Sequence, residues 1–460
     1  MIDLASTSIA DLGAALREGR VRAADLVAQV AANRDEDLGA YKLWLPERAA
    51  SAAAMADAAF AEGLDFGPLQ GLPISVKDLY GLAGSPTHAG APRALPGAWE
   101  REGPVVRAVR SGMGCVVGKT HTVEFAFGGI GSNPHWGTPK NPWSREVHRV
   151  PGGSSAGAGV SLWEGTAVIA LGSDTAGSVR VPASFTGTVG LKTTWGRWSL
   201  DGLVPLSPSL DTAGILTRSV ADAALAFSVI DPRCPAPPVA GDVSQLRFGV
   251  VEELFDGCAP DIVAAVRTAI RELEDKGASV FRFSLPGLDA AQGVFAAGGL
   301  AAPEFVAFIN RELPDFRPTL DPNVRERFAA VEAMPATEYL DRRARLARAA
   351  DEANAALADV DGVLCPTTPL TAPRLDEVAH AQGYRERNMA TLRNTSPGNL
   401  LDLCGLSLPV GLDVDGMPIG LQILASRGAD ESLLGAAGAV EGVLGSARQR
   451  LGSPRGASPA

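Results

Sequence analysis

Residues 151–194 read PGGSSAGAGVSLWEGTAVIALGSDTAGSVRVPASFTGTVGLKTT. This stretch holds two clusters of glycine and serine, at 152–155 and 175–178, on either side of an apolar run. Because small residues let a backbone come close to a ligand, both clusters can present N–H groups to one. The apolar run 166–171, TAVIAL, is bounded by glycines and predicts a short buried strand.

A nucleophile is expected just beyond this strand. Ser178 lies in a glycine-containing turn between the predicted strand and a predicted helix. Pro182 falls in the first turn of that helix, where its missing N–H costs no hydrogen bond. The N-terminal amides of a helix favour negative charge. The pattern therefore indicates a serine placed where an anion can be stabilised.

Composition excludes several classes of protein. The chain has 460 residues, of which 46% are hydrophobic and 20% charged, as in ordinary soluble globular proteins. A net charge of −11 argues against a nucleic-acid partner, which requires clustered Lys and Arg. The five cysteines are scattered without a CxxC pair, so we expect reduced thiols and neither a disulfide nor a zinc site. No metal or cofactor is expected.

The N-terminal residues, MIDLASTSIADLG, show neither a basic n-region nor an apolar h-region of a secretory signal. No uncharged apolar stretch of about 18 residues occurs, so no membrane partner is expected. We therefore expect a cytoplasmic protein.

Lys77 is the most unusual residue of the first half. Two helices are predicted within 8–33 and a third at 47–62, followed by a strand at 72–76 that delivers this lysine. A buried lysine costs several kcal/mol unless it is paired or neutral. The alternative is a lysine whose ammonium group reaches solvent from the strand end.

The second half continues with strands and helices around a predicted linker or insertion boundary, the proline cluster at 232–238. Strands are predicted at 246–251, 362–365 and 420–424, a helix at 261–276, and mostly helical structure over 296–356.

Five stretches carry a resemblance to known proteins: GPLQGLPISVKDLY (67–80), 151–194, SLDTAGILTRSVADAA (209–224), DGVLCPTTPLTAP (361–373) and DGMPIGLQIL (415–424). Together they resemble the amidase signature family, the serine hydrolases of amide bonds. The resemblance implies an α/β fold with a mixed central sheet of about eleven strands and helices on both faces. It implies one domain over 1–450, with a more variable helical pocket region at about 290–350. The composition of 451–460 indicates a flexible tail.

The family's catalytic triad falls on Lys77, Ser154 and Ser178, with a cis peptide bond before Ser154. A serine hydroxyl needs a base before it becomes a good nucleophile. Apolar burial lowers the pKa of a lysine from about 10.4, which would make Lys77 a usable base. Ser154 would then relay the proton between Lys77 and Ser178.

The resemblance also assigns an oxyanion hole to the turn that carries the nucleophile. The amides of this hole stabilise the tetrahedral intermediate. Ala176 stands where the family often has glycine, so its φ must suit a residue with a Cβ. The amides are those of Thr175, Ala176, Gly177 and Ser178.

Three supporting residues follow from the same resemblance. Asp174 and Arg180 are expected to pair with each other and support the turn, and Ser155 to hydrogen-bond beside the relay. An alternative comes from 153–157, which also satisfies the G-x-S-x-G elbow of α/β-hydrolases with Ser155 as nucleophile. That alternative needs an acidic residue and a histidine downstream of Ser155. The only histidine after Ser155 is His380.

The substrate pocket is expected in the loop before the relay serine. Its FAFGGIG segment, 125–131, carries no Arg or Lys, so aryl or hydrophobic amides and carbamates are expected to react faster than anionic amides. The expected pocket residues are Phe125, Ala126, Phe127, Gly128, Gly129 and Ile130.

We therefore expect a small-molecule amidohydrolase, monomeric or homodimeric, that works through an acyl-enzyme. Carbamates, esters and hydrazides can be attacked by the same residues. The alternative is the glutaminase-type component of an aminoacyl-tRNA amidotransferase complex, which belongs to the same family.

Overall fold

One mixed sheet of eleven strands organises the computed structural model, which describes residues 2–454. Its strand order is β1-β3-β2-β4-β6-β5-β10-β11-β9-β7-β8. Strand β2 is parallel to β3 and β4, and β7 is parallel to β8 and β9, whereas the other neighbours are antiparallel. The expected α/β class and mixed sheet are confirmed. The strands are β1 Tyr41–Trp44, β2 Pro73–Lys77, β3 Cys115–Thr120, β4 Ile169–Asp174, β5 Val189–Lys192, β6 Thr212–Thr217, β7 Arg247–Val250, β8 Ser279–Arg282, β9 Gly362–Pro366, β10 Cys404–Leu412 and β11 Pro418–Ala425.

Helices flank this sheet and bury their apolar faces against it. The first helix is typical: Ser8 caps it by accepting a hydrogen bond from the Asp11 amide, while Ile9, Leu12 and Leu16 are buried. The helices are α1 Ile9–Arg17, α2 Ala23–Asn33, α3 Pro46–Ala61, α4 Pro104–Ser111, α5 Ala158–Trp163, α6 Arg180–Thr186, α7 Val220–Ile230, α8 Pro260–Asp275, α9 Leu288–Ala296, α10 Ala301–Glu312, α11 Pro322–Glu332, α12 Ala336–Ala356, α13 Ala381–Leu392, α14 Ser396–Leu400, α15 Asp430–Leu444 and α16 Ala447–Leu451.

Among the described residues, no single helix is both long and apolar enough to cross a bilayer. Within residues 2–454, α9 and α10 meet that length and composition only when taken together, with a bend of 48° between them.

Strand β4 begins and ends three residues later than the sequence predicts. Thr166 instead closes the turn after α5, where its amide and hydroxyl both donate to the carbonyl of Ser161. The strand continues past Gly172 because β6 pairs with it as far as Asp174. Ser173 and Asp174 are therefore strand residues, held rigidly just before the turn of Ser178.

The proline cluster at 232–238 is an exposed connection between α7 and β7. Strands from both sides of it belong to the same sheet, and one hydrophobic cluster takes in residues from both sides. At the other end, Leu451 closes α16 and is buried. Of the tail predicted at 451–460, residues 455–460 lie outside the described part of the chain.

Candidate active site

Lys77 is fully buried at the end of β2, one of the central strands. Its Nζ lies 2.7 Å from Ser154 Oγ, 2.9 Å from Ser173 Oγ and 3.4 Å from the Ser173 carbonyl oxygen. The interpretation of Lys77 as a residue that reaches solvent is therefore wrong. Sequence reasoning missed Ser173, because it placed this serine beyond the end of β4.

Burial lowers the pKa of Lys77 to about 7, against the opposing effect of the Asp174 and Asp211 carboxylates. A neutral amine has two N–H groups and one lone pair. When Ser173 accepts both N–H groups through its two oxygens, the lone pair is left facing the hydroxyl of Ser154. The surroundings thus both favour the neutral amine and orient it as a proton acceptor.

Close backbone packing positions Ser154, which follows a cis peptide bond from Gly153. The Gly153 amide donates to the Gly129 carbonyl at 2.8 Å, and a Cβ on Gly153 would lie 2.7 Å from the Gly131 nitrogen. A side chain at this position would push the two segments apart. The glycines of both segments therefore let the pocket loop lie directly against the relay serine.

Ser178 follows β4 in a tight turn and is 4% exposed, at the wall of a cavity. The Gly177 amide donates to Asp174 Oδ1 at 2.7 Å, so this amide is already engaged and the predicted hole of four amides is reduced to three. The amides of Thr175, Ala176 and Ser178 meet no acceptor within the part of the chain that the structure describes. Ala176 has no positive φ, so its Cβ is compatible with the turn.

A buried ion pair between Asp174 and Arg180 holds this turn, with Arg180 Nη2 lying 3.0 Å from Asp174 Oδ1. Asp174 also accepts from the amides of Gly177 and Val179. Burial alone would raise the pKa of Asp174, but Arg180 outweighs that effect and the pKa falls to about 2. The remaining guanidinium N–H groups donate to Thr395, Gln422 and Asn399.

Asp211 is a second buried carboxylate that sequence reasoning missed, although it lies in the quoted SLDTAG segment. Its Oδ1 accepts from Thr175 Oγ1 at 2.5 Å, and its Oδ2 accepts from the amides of Leu206 and Ser207 at 2.9 Å. Burial raises its pKa to about 6, and these hydrogen bonds oppose that rise. Asp211 therefore fixes one side of the turn that carries the free amides.

Ser155 is fully buried and does not line the cavity. Its Oγ lies 3.4 Å from both the amide nitrogen and the carbonyl oxygen of Ser173, and its amide donates to the Ser178 carbonyl at 3.2 Å. This placement argues against Ser155 as an elbow nucleophile, because a substrate cannot reach its hydroxyl.

The cavity at Ser178 has a volume of about 400 Å³. Of the six predicted pocket residues, Ala126, Phe127 and Gly128 line it. The other three do not, because the loop turns away from the cavity at both ends. Phe125 packs on Phe305 in the main core, Gly129 donates its amide to Asn388, and Ile130 belongs to a separate hydrophobic cluster.

Helices from the second half of the chain supply most of the other walls. Residues 295–302 contribute apolar and glycine surface, and α11 and α13 contribute polar and charged side chains. The prediction from the sequence considered only the charges of the loop at 125–131, so it missed the polar and charged side chains of α11 and α13. The polar and charged lining residues from the two helices are Asn323, Glu326, Arg327, Tyr384, Arg385 and Asn388.

No group of three or more potential metal ligands occurs among residues 2–454. Over residues 25–434 the chain matches the family model described as Amidase. The chain belongs to the amidase family. It is an enzyme, an amidase that acts on carbon–nitrogen bonds.

Individual relatives cover almost the whole chain. The 2-amino-5-chloromuconic acid deaminase of Comamonas testosteroni is 49% identical over 98% of this chain and 99% of its own length. A glutamyl-tRNA(Gln) amidotransferase subunit of Salinispora arenicola (strain CNS-205) is 34% identical, over 97% and 99%. A crystal structure of an amidase superimposes with a TM-score of 0.86 at 32% identity, covering 95% of this chain and 100% of the other.

Proposed function

We propose that this amidase cleaves the C–N bond of a small molecule through a covalent intermediate on Ser178. The observation that carries the proposal is the 2.7 Å contact between Ser154 and a buried lysine with a pKa of about 7. The same strand-and-turn segment supports Ser178 and three unengaged amides beside the cavity. A base, a relay, a nucleophile and an anion-binding turn are what acyl transfer requires.

In the first step on an amide, the bond from Ser178 Oγ to the carbonyl carbon forms. The hydroxyl proton passes to Ser154 Oγ while the Ser154 proton passes to Lys77 Nζ. The electrons of the C=O bond move onto oxygen, which the amides of Thr175, Ala176 and Ser178 stabilise. When this intermediate collapses, the C–N bond breaks and the leaving nitrogen takes a proton back through the same relay.

Water completes the reaction in a second step. It attacks the acyl carbon, loses a proton through the same relay and forms a second tetrahedral intermediate. Collapse breaks the ester bond, returns the proton to the serine oxygen and releases the acid.

The substrate has a small, apolar or unsaturated body. The cavity walls are rich in Ala and Leu and include Phe127, Phe295 and Val331, which suits the aryl or hydrophobic amides and carbamates expected from the sequence. The relative from Comamonas testosteroni is named as a deaminase of an amino-substituted unsaturated acid, which supports a small unsaturated body for the substrate.

A second candidate is the glutaminase component of an amidotransferase complex, supported by 34% identity to the Salinispora arenicola protein over nearly the whole chain. In that case the purified chain should release ammonia from glutamine, and do so faster with its partner proteins. Gel filtration of the native complex separates the two cases, since the stand-alone hydrolase elutes as a monomer or homodimer.

The direct test is covalent labelling. A fluorophosphonate probe should modify the peptide that contains Ser178, and Ser178→Ala should abolish both labelling and ammonia release from a panel of amides. Ser155→Ala serves as the matched control and should keep measurable activity. Labelling that persists in Ser178→Ala would contradict the proposal.

A further inference from the structure

One wall of the cavity carries hydrogen-bond donors without acceptors. Tyr384 and Asn388 lie one turn apart on α13 and are 4% and 1% exposed. The Tyr384 hydroxyl and the Asn388 side-chain NH₂ meet no hydrogen-bond acceptor in residues 2–454, although both side chains line the cavity. Both atoms open on the cavity itself, and two neighbouring donors presented to one cavity point to an acceptor supplied by a ligand.

The orientation of Asn388 is fixed by its surroundings. Its Oδ1 accepts a hydrogen bond from the Gly129 amide at 2.7 Å, so the NH₂ group of the side chain is the part that remains available to a ligand. The Tyr384 hydroxyl lies close against Gly128, since a Cβ there would be 2.4 Å from the tyrosine oxygen. Both donors are thus held against the same loop that abuts the relay serine through Gly129 and Gly153.

Arg327 adds a positive charge to this wall. The cavity lining includes three charged side chains, and two of them, Glu326 and Arg385, pair with each other at 2.6 Å. Arg327 has no carboxylate within 4.0 Å among the residues that the structure describes. Of the three charged side chains of the lining, Arg327 is therefore the one without an ion-pair partner among the described residues.

The hydrogen-bond donors of Arg327 are available. Its Cζ lies 4.4 Å from the ring centroid of Phe127, another cavity residue, which is the range of a cation–π contact. Its guanidinium makes no hydrogen bond with residues 2–454, so its N–H groups can bind a ligand. Burial raises the pKa of the Tyr384 phenol; the charge of Arg327 opposes this rise, and the more weakly acting Asp321 carboxylate adds to it, so both charges lie near the hydroxyl.

We infer that Arg327, Tyr384 and Asn388 form a subsite for a carboxylate of the substrate, remote from the carbon that Ser178 attacks. A carboxylate accepts two parallel bonds from a guanidinium and has lone pairs left for a phenol and an amide. The inference rests on the proposed function and reverses one expectation from the sequence, because amides that carry a carboxylate should be preferred to neutral ones.

The subsite lies within reach of the reacting atoms. Helix α13 ends at Leu392, which lines the cavity, and Thr395 Oγ1 donates to the Ala176 carbonyl in the turn of the nucleophile at 2.7 Å. Asn388 precedes Leu392 by four residues, which is about 6 Å along the helix. A carboxylate several bonds from the C–N bond, as in the monoamide of a six-carbon diacid, fits this separation.

The test compares one substrate pair in several variants. The substrates are the monoamide of muconic acid and the methyl ester of that monoamide, which lacks the negative charge. In Arg327→Met, which keeps an aliphatic stem on Phe127, KM for the acid should rise about 10- to 100-fold while KM for the ester stays within about twofold. Tyr384→Phe should raise KM for the acid by about two- to tenfold, with little change in kcat. Equal effects on acid and ester would overturn the subsite.

Arg325→Met is the matched control, since it removes the same charge from α11 at a position that does not line the cavity. It should keep the wild-type preference for the acid, and loss of that preference would also contradict the inference.

Binding separates the subsite from the proposed chemistry. Calorimetric titration with muconate itself, which has no C–N bond to cleave, should show binding to wild type and to Ser178→Ala. The affinity should be at least tenfold weaker for Arg327→Met. If muconate binds in this way but Ser178 is never labelled, the proposed function fails and the subsite stands. If Ser178 is labelled and muconate binds equally to both arginine variants, the subsite fails alone.

Discussion

The acid limb of the pH–rate profile should report the protonation of Lys77. With a pKa of about 7 instead of 10.5, half of the lysine is neutral at pH 7. An exposed lysine would be neutral in only about one molecule in three thousand, so burial increases the available base by roughly a thousandfold. We therefore expect kcat/KM to be half-maximal near pH 7, to fall about tenfold per pH unit below pH 6 and to reach a plateau above pH 8.

The assay measures initial ammonia release at low concentration of a substrate that does not itself titrate between pH 5.5 and 9. A solvent isotope effect, measured in parallel, establishes that proton transfer limits the rate. Lys77→Met should remove the limb and lower kcat/KM by about a thousandfold or more. A flat profile from pH 6 to 9 in wild type, with proton transfer limiting, would refute Lys77 as the base.

Stability measurements show whether Lys77→Met is still folded. Between pH 7 and about 10.5 the unfolded lysine binds a proton that the folded one does not, so its contribution to the free energy of unfolding rises with pH. The variant lacks this dependence and is expected to be at least as stable as wild type at pH 7. A lower Tm at pH 7 would mean that the lost activity reflects damaged packing.

Three further substitutions test the parts around the lysine. Ser154→Ala should reduce kcat less than loss of the lysine does, because water can replace a relay hydroxyl; an equal or larger loss, with the fold checked by circular dichroism, would contradict this. Ser173→Ala should lower kcat about tenfold at constant KM and shift the acid limb to lower pH, since the ammonium form loses an acceptor. Gly177→Ala should lower the Tm, because φ is +134° and the new Cβ would lie 2.1 Å from Thr395 Oγ1. Ala176→Gly is its control and should leave the Tm within a few degrees, so an equal drop would show that the turn tolerates neither change.

The sequence by itself determined the family, the class of fold and the local elements with strong patterns. Helices α1, α3 and α8 follow from apolar spacing and from residues that start or stop a helix. Strand β2 follows from its apolar run. The residues proposed as the triad came from resemblance, because composition alone leaves Lys77 with two interpretations.

The tertiary structure decided which residues meet. The end of β4 depends on pairing with β6. Strands β1, β5 and β8 have four residues each and too little pattern to be seen locally, whereas the equally short β7 was predicted at 246–251. Ser173 contacts a lysine 96 residues away, and Thr175 contacts an aspartate 36 residues away.

The wall of the cavity shows most clearly what the sequence pattern alone could not predict. Arg327 lies over the ring of Phe127 although 200 residues separate them, and the segment 125–131 that carries Phe127 has no charge of its own. Sequence pattern records how each segment prefers to fold and which face it buries. Charge and hydrogen-bonding partners in a cavity depend on which distant segments the sheet order brings together, and that is fixed only when the whole core packs.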